Sequence, residues 1–273
     1  MAKKRKWGPG IAFLFSIVLF SISLFSLMGM FFQKLETEQL QAELVEIYQE
    51  PGMDQLLVES DPAENRPDAP EAEVSPGLLA LHESNPDCIG WLTIEGTVIN
   101  YPVMYRPEEK DYYLRRDFYG NYSVAGSLFL SEACNPQKSD NLIIYGHHMA
   151  DGTMFGSLEK YKDAGFCEKH SEIIFDTLNG TARYEVIAVF CTPVYTEKDF
   201  AYYAFTSAGS PEKFNTFLRE VMSRSLFDTG RTAAYGDQLL SLSTCEYSQT
   251  NGRLVVVAKK INETGNGGFE VEK

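Results

Sequence analysis

The sequence is short of positive charge, short of histidine and without paired cysteines, and each shortage removes a class of function. Its 273 residues carry 24 Lys and Arg against 38 Asp and Glu, a formal charge of −14. Neutralising a phosphate backbone takes a dense basic face. Outside the N-terminus the Lys and Arg residues are scattered, so a general nucleic-acid binder is excluded. The five cysteines, Cys88, Cys134, Cys167, Cys191 and Cys245, form no CxxC pair and no Cys/His spacing of the zinc type, which argues against a structural metal. Their odd number leaves at least one thiol without an intramolecular partner. No internal repeat is present. With 44% hydrophobic and 23% charged residues the chain is otherwise ordinary for a globular protein, which excludes disorder throughout.

What is there begins with Lys3, Lys4, Arg5 and Lys6, followed by an uncharged stretch from Trp7 to Gln33 rich in Ile, Leu, Phe and Met. A helix of that length, rising about 1.5 Å per residue, crosses a hydrocarbon core of roughly 30 Å with some tilt. A cleaved signal peptide has the same basic start, but its apolar core is usually only about 7–15 residues. The sequence therefore predicts an uncleaved anchor over residues 7–33. The basic segment 1–6 before it and the acidic segment after it place the N-terminus inside and the rest outside the membrane.

Residues 34–76 carry many Glu and Asp. Leu35, Leu40, Leu44 and Ile47 lie near helical spacing, which predicts a juxtamembrane helix, and Pro62, Pro67, Pro70 and Pro76 predict an extended spacer after it. The folded body is expected over residues 77–262, with a loose tail over 263–273. In the body, short β-like runs alternate with Gly, Asn, Asp and Pro. Trp91–Val103 reads as two strands around Glu95-Gly96, followed by Ser127–Leu130, Asn141–Tyr145, Ile173–Asp176, Arg183–Thr192, Gln238–Thr244 and Arg253–Lys260. Many short strands with few helical patterns predict a mainly β fold, a closed or nearly closed barrel. One helix stands out: Ser210 caps, Pro211 takes the first position, and Phe214, Phe217, Leu218, Val221 and Met222 form a stripe that would lie on the barrel.

Two segments carry candidate chemistry. The run LLSLSTC ends at Cys245, the polar loop Glu246–Gly252 follows, and the chain returns as RLVVVAKK. If these strands pair, Cys245 and Arg253 stand at the two ends of the loop, where a guanidinium favours the thiolate. Taken alone, the hairpin reads equally as a semi-exposed Cys beside a surface Arg. The second segment, DNLIIYGHHM, ends an apolar strand at Gly146 and presents His147 and His148 at once; of the four histidines only His82 and His170 lie elsewhere. Imidazole holds a proton near neutral pH and returns it to a leaving amine, as a nucleophilic thiol requires. Adjacent residues of a strand point opposite ways, so one histidine faces the cysteine and the other serves packing or hydrogen bonding.

In this order, strand-Gly-His (IIYGHHM), a later strand ending in LSTC, and Arg opening the next strand (RLVVVAKK), the sequence resembles the sortases. The phrases NPDCIGWLTIEGTVINYPVM, DYYLRRDFYGNYSVAGSLFL and NLIIYGHHMADGTMFGSLEKY, with the helix inserted before the last strand pair, are similar to class B in particular, and the resemblance covers roughly Leu78 to Ile261. It implies a closed sortase-type β-barrel with peripheral helices behind an N-terminal transmembrane helix. It also implies a transpeptidase that cuts a sorting signal after Thr, holds the acyl fragment as a thioester and passes it to an amine. Cys245 would be the nucleophile, His147 the acid/base in preference to His148, and Arg253 the donor to the oxyanion. The backbone N–H of Glu246 would help that hole, while Leu114, Tyr202, Ser243 and Thr244 would line the groove.

The partners implied are sorting-signal peptides of secreted surface proteins, an amine from a peptidoglycan cross-bridge or a pilin, and the cytoplasmic membrane. No cofactor and no metal are implied. The extra cysteines depart from the family pattern and open disulfide formation or oxidation. Asn135-Pro136-Gln137 looks like the start of a class B sorting signal, yet Lys138 stands in place of Thr and no apolar tail follows. A cysteine endopeptidase using the same groups, and a non-catalytic binding module on the same barrel, are the competing readings.

Overall fold

The computed structural model describes residues 9–49, 74–194, 200–246 and 251–261. The chain divides into two compact units, Met1–Glu43 and Leu44–Lys273. The described residues of the first lie within helix α1 (Pro9–Gln49). Its apolar side chains are exposed, Phe13, Phe20 and Phe25 among them, and by length and composition this helix can cross a membrane. Helix α1 continues past the apolar run to Gln49. The proline-rich spacer before Val74 and the tail after Ile261 lie outside the described residues.

In the second unit, the final turn of α1 is held by aromatic packing. Leu44 is buried, the Tyr48 ring stacks on Trp91 at 4.3 Å between centroids, and its hydroxyl donates to Asp176. Helix α2 (Pro76–Ser84) follows, with Ser75 as its N-cap, proline in its first turn, and Leu78 and Leu81 buried. Eight strands then form a barrel: β1 (Cys88–Thr93), β2 (Asn100–Met104), β3 (Leu128–Leu130), β4 (Asn141–Tyr145), β5 (Glu172–Thr177), β6 (Gly180–Pro193), β7 (Leu239–Glu246) and β8 (Gly252–Ile261). The order around the barrel is β1-β2-β3-β4-β7-β8-β6-β5, closed because β1 pairs with both β2 and β5. Closure leaves no sheet edge to be protected.

Two pairings are parallel, β2 with β3 and β4 with β7. A parallel pair needs a long crossover. That between β4 and β7 carries helix α3 (Ala164–Lys169), β5, β6 and helix α4 (Pro211–Arg224). Helix α4 is the one the sequence announces: the Ser210 side chain accepts from Lys213 N, and Phe214, Phe217, Leu218 and Val221 are buried.

The unbroken apolar run of β8 follows from burial on both faces. Leu254, Val256 and Ala258 belong to the barrel core, whereas Val255 and Val257 pack into a second core with Phe214, Phe217 and Val221 of α4. Strand β7 alternates likewise, with Leu240 and Leu242 in the barrel core and Leu239 in the second. Residues 239, 241, 243 and 245 therefore share the outer face, and Cys245 ends that row.

Gly146 marks the exit of β4. A Cβ there would lie 2.4 Å from Leu128 Cδ2 and 2.7 Å from Phe155 Cδ2, both on fully buried side chains. Gly146→Ala is expected to destabilise the fold by about 1–3 kcal/mol through overpacking. A denaturant midpoint unchanged from wild type would contradict this packing.

Candidate active site

Three strand ends meet at one level of the barrel. Strands β7 and β8 are antiparallel with Cys245 opposite Arg253, and directly opposed residues share a face. On the other side of β7, the parallel register with β4 runs to Tyr145 opposite Ser243. Gly146 N donates to Ser243 O at 3.2 Å, and Thr244 Oγ1 donates back to Gly146 O at 2.8 Å. Continuing that register brings residue 147 level with residue 245. His147, Cys245 and Arg253, far apart in sequence, thus occupy consecutive strand ends, and all three are partly exposed.

The loop after β4 is fixed on both sides. Phe155 N donates to His147 O at 3.0 Å, and Met154 N donates to the buried Tyr101 hydroxyl at 3.1 Å. His147 Nε2 lies 2.7 Å from the carbonyl oxygen of Leu114. A carbonyl only accepts, so Nε2 carries a proton and Nδ1 is the nitrogen left to take or give one in chemistry. Leu114 sits in the 3₁₀ turn Tyr112–Arg115. Its carbonyl is backed by Gly126, where φ is +61° and a Cβ would lie 2.5 Å from that oxygen. The sequence suggests Leu114 as a groove residue; in the structure its carbonyl is the partner of the imidazole. Nothing in the residue pattern announces this contact, because a main-chain acceptor leaves no side-chain signature.

Burial holds the His147 pKa below the ordinary histidine value, the Leu114 bond opposing this and the Arg115 charge adding to it. The neutral imidazole is thereby favoured at rest. His148 Nδ1 lies 2.9 Å from the main-chain carbonyl oxygen of Cys245.

The other thiols are separated from Cys245 by environment. None of the five cysteines is in a disulfide. Burial pushes Cys88 up to about 12, and Cys134 and Cys167 up to about 11, so these three stay protonated near neutral pH. Cys191 is partly buried within β6. Cys245 is the partly exposed thiol at a strand end beside an arginine. Arg253 Nη1 donates to Gly252 O at 3.0 Å.

Of the remaining residues expected at the site, Ser243 and Tyr202 are brought together: their hydroxyls share a hydrogen bond of 2.7 Å, and both residues are buried. Thr244 is buried as well, its hydroxyl committed to Gly146. Glu246 closes β7 opposite Gly252. The segment Asn135-Pro136-Gln137 is a turn, with Asn135 Oδ1 accepting from the N–H groups of Gln137 and Lys138. Among the described residues no three His, Cys, Asp or Glu side chains gather as a metal-binding group.

In a Cys245→Ala variant, which removes coupled titration with the thiol, His147 is expected to titrate below the ordinary value of about 6.5. Following its ring protons by NMR checks this, and a midpoint at or above that value would contradict the effect of burial.

A family model described as the Sortase domain matches residues 92–261. Sortase B of Staphylococcus aureus is 36% identical over 195 residues, which make up 70% of this chain and 77% of that protein. A solved Staphylococcus aureus sortase B–substrate complex superposes with a TM-score of 0.70 at 28% identity, covering 85% of this chain and 100% of that one. A structure of sortase B complexed with triglycine gives a TM-score of 0.70 at 29% identity over the same shares, 85% and 100%. With Cys245, His147 and Arg253 at adjoining strand ends of a closed barrel of this kind, the chain belongs to the sortase family, in its class B, and is a cysteine transpeptidase.

Proposed function

We propose that this enzyme anchors surface proteins by cutting a C-terminal sorting signal after Thr and transferring the acyl fragment to an amine. The observation that carries the reading is the register that sets Cys245 opposite Arg253 and beside the exit of β4 at His147. The Cys245 thiol gives its proton to His147 Nδ1, and the thiolate so formed attacks the scissile carbonyl carbon, the negative charge passing to its oxygen. Arg253 and the Glu246 N–H stabilise that oxyanion. Collapse of the tetrahedral intermediate breaks the C–N bond, and the His147 imidazolium gives its Nδ1 proton to the leaving amine, which leaves a thioester and neutral imidazole. The incoming amine attacks the thioester, His147 takes the amine's proton, and the thiolate departs as the new amide forms, recovering that proton from His147 to restore the resting pair.

Around this centre Leu114, Tyr202, Ser243 and Thr244 shape the peptide groove. Tyr202 and Ser243 act as a bonded pair beneath it, and Thr244 acts by holding Gly146. The peptide partner is the sorting signal of a secreted surface protein, and the acceptor is an amine of a peptidoglycan cross-bridge or a pilin. Helix α1 is the single-pass anchor, with the basic residues 1–6 inside and the barrel on the extracellular side; the Lys3–Lys6 cluster supports that orientation. The role of the acidic residues 34–76 is to hold the barrel off the membrane.

The enzyme without its anchor, given an Asn-Pro-Gln-Thr-containing peptide and an oligoglycine amine, is expected to form the amide product, with turnover that rises and falls across a bell-shaped pH profile. The acid limb lies below the ordinary histidine range because burial disfavours the imidazolium. Mass analysis of the products checks the acceptor. Hydrolysis alone at saturating amine would make the protein an endopeptidase, and a pH-independent rate would remove the Cys/His pair from the mechanism.

A further inference from the structure

The histidine that the mechanism does not use is bonded to the nucleophile's own backbone. His148 Nδ1 lies 2.9 Å from the carbonyl oxygen of Cys245. That oxygen can only accept, so Nδ1 carries a proton and the contact is a donated N–H···O bond in both the neutral and the protonated ring. Its place in the ladder is informative. In a parallel pair, donors from one strand recur every second residue. The last rung of β4 on β7 is Gly146 N to Ser243 O, so the next falls between residues 148 and 245. The His148 ring supplies a donor at that level, one rung past the Gly146–Ser243 bond.

The backbone that carries the ring is anchored. His148 forms an isolated antiparallel bridge with Met154, whose N–H donates to Tyr101 and which is itself buried. The loop that carries His147 therefore also delivers a fixed donor to Cys245. A peptide unit is planar, with its C=O and N–H directed oppositely. Holding the Cys245 carbonyl therefore holds the following N–H, that of Glu246, in direction. A hydrogen bond accepted by the carbonyl also polarises the same unit and strengthens its N–H as a donor.

We propose that His148 is a positioning residue for transpeptidation: by donating Nδ1–H to the Cys245 carbonyl it orients the Cys245–Glu246 peptide unit that carries the nucleophile at one end and an oxyanion donor at the other. The catalytic half of this statement rests on the transpeptidase reading above. The hydrogen bond itself does not.

The test compares His148→Leu with His148→Asn, because an Asn amide N–H sits near the Nδ1 position whereas Leu keeps bulk without a donor. His148→Leu is expected to lower kcat by about 10- to 100-fold, the scale of a misplaced reacting group, with KM changed by no more than about twofold, as for an interaction realised in the transition state. His148→Asn restores most of the rate. In parallel, the Cys245 carbonyl carbon and Glu246 amide nitrogen, followed by NMR in labelled protein with intact tertiary signals, shift in His148→Leu and return in His148→Asn.

Full activity in His148→Leu overturns the proposal, as does equal loss in both variants. Loss in His148→Asn as complete as that in His147→Ala would make His148 the proton carrier and overturn it too. Should wild-type protein form no amide product, the transpeptidase reading fails. The NMR shifts then decide the hydrogen bond alone, and unchanged Cys245 and Glu246 signals in His148→Leu overturn it whatever the activity.

Discussion

The parallel pairing of β4 with β7 holds the whole site together. It joins two segments nearly a hundred residues apart in sequence, through rungs running from Asn141 opposite Leu239 to Tyr145 opposite Ser243. Both of the histidines beside Cys245 leave this pair at its upper end, and Cys245 leaves it one residue beyond Thr244. The two bonds at Gly146, from its N–H to Ser243 and to its carbonyl from Thr244, fix that exit. A residue with a side chain would be driven into Leu128 and Phe155. Glycine is required there by close packing.

The second constraint is how burial is distributed among groups of the same chemical type. The barrel buries three thiols and holds them protonated, and leaves the Cys245 thiol at a strand end beside Arg253. Burial also lowers the His147 pKa, which favours the neutral imidazole. A base held by a main-chain carbonyl on Nε2 offers Nδ1 alone. The protein thereby selects one tautomer without a carboxylate partner, with the 3₁₀ turn at Leu114 backed by Gly126.

Much of this is legible in the amino-acid sequence, for identifiable reasons. Strand β4 is readable residue for residue because the apolar run Leu142–Tyr145 is followed at once by Gly146. Helix α4 is readable because Ser210, Pro211 and the Phe214–Val221 stripe all signal the same element. The uninterrupted run in β8 signals a strand, and its burial on both faces is what two cores require. Helices α2 and α3 escape sequence reading, since nine and six residues are too few to establish a period. The closing order of the strands is beyond reach as well, because pairing partners such as β1 and β5 are set by tertiary packing rather than local pattern. The same holds at the site. Cys245, His147 and Arg253 carry chemistry in their side chains and are found from them, whereas the Leu114 carbonyl and the His148 contact with the Cys245 carbonyl work through backbone oxygen. The hydroxyls of Ser243 and Tyr202 are bonded to one another and that of Thr244 to Gly146, which residue type alone does not disclose.

At the heart of the proposed reaction, the carboxyl side of a cleaved peptide bond passes through Cys245. Intact-mass analysis of the enzyme quenched during turnover of a sorting-signal peptide, followed by mapping of the adduct, tests this without intermediaries. The expected result is a mass increase equal to the acyl fragment, carried on the peptide containing Cys245 and removed by hydroxylamine or by an added amine. Product formed at the wild-type rate by Cys245→Ala, or an adduct mapped to another residue, would contradict it.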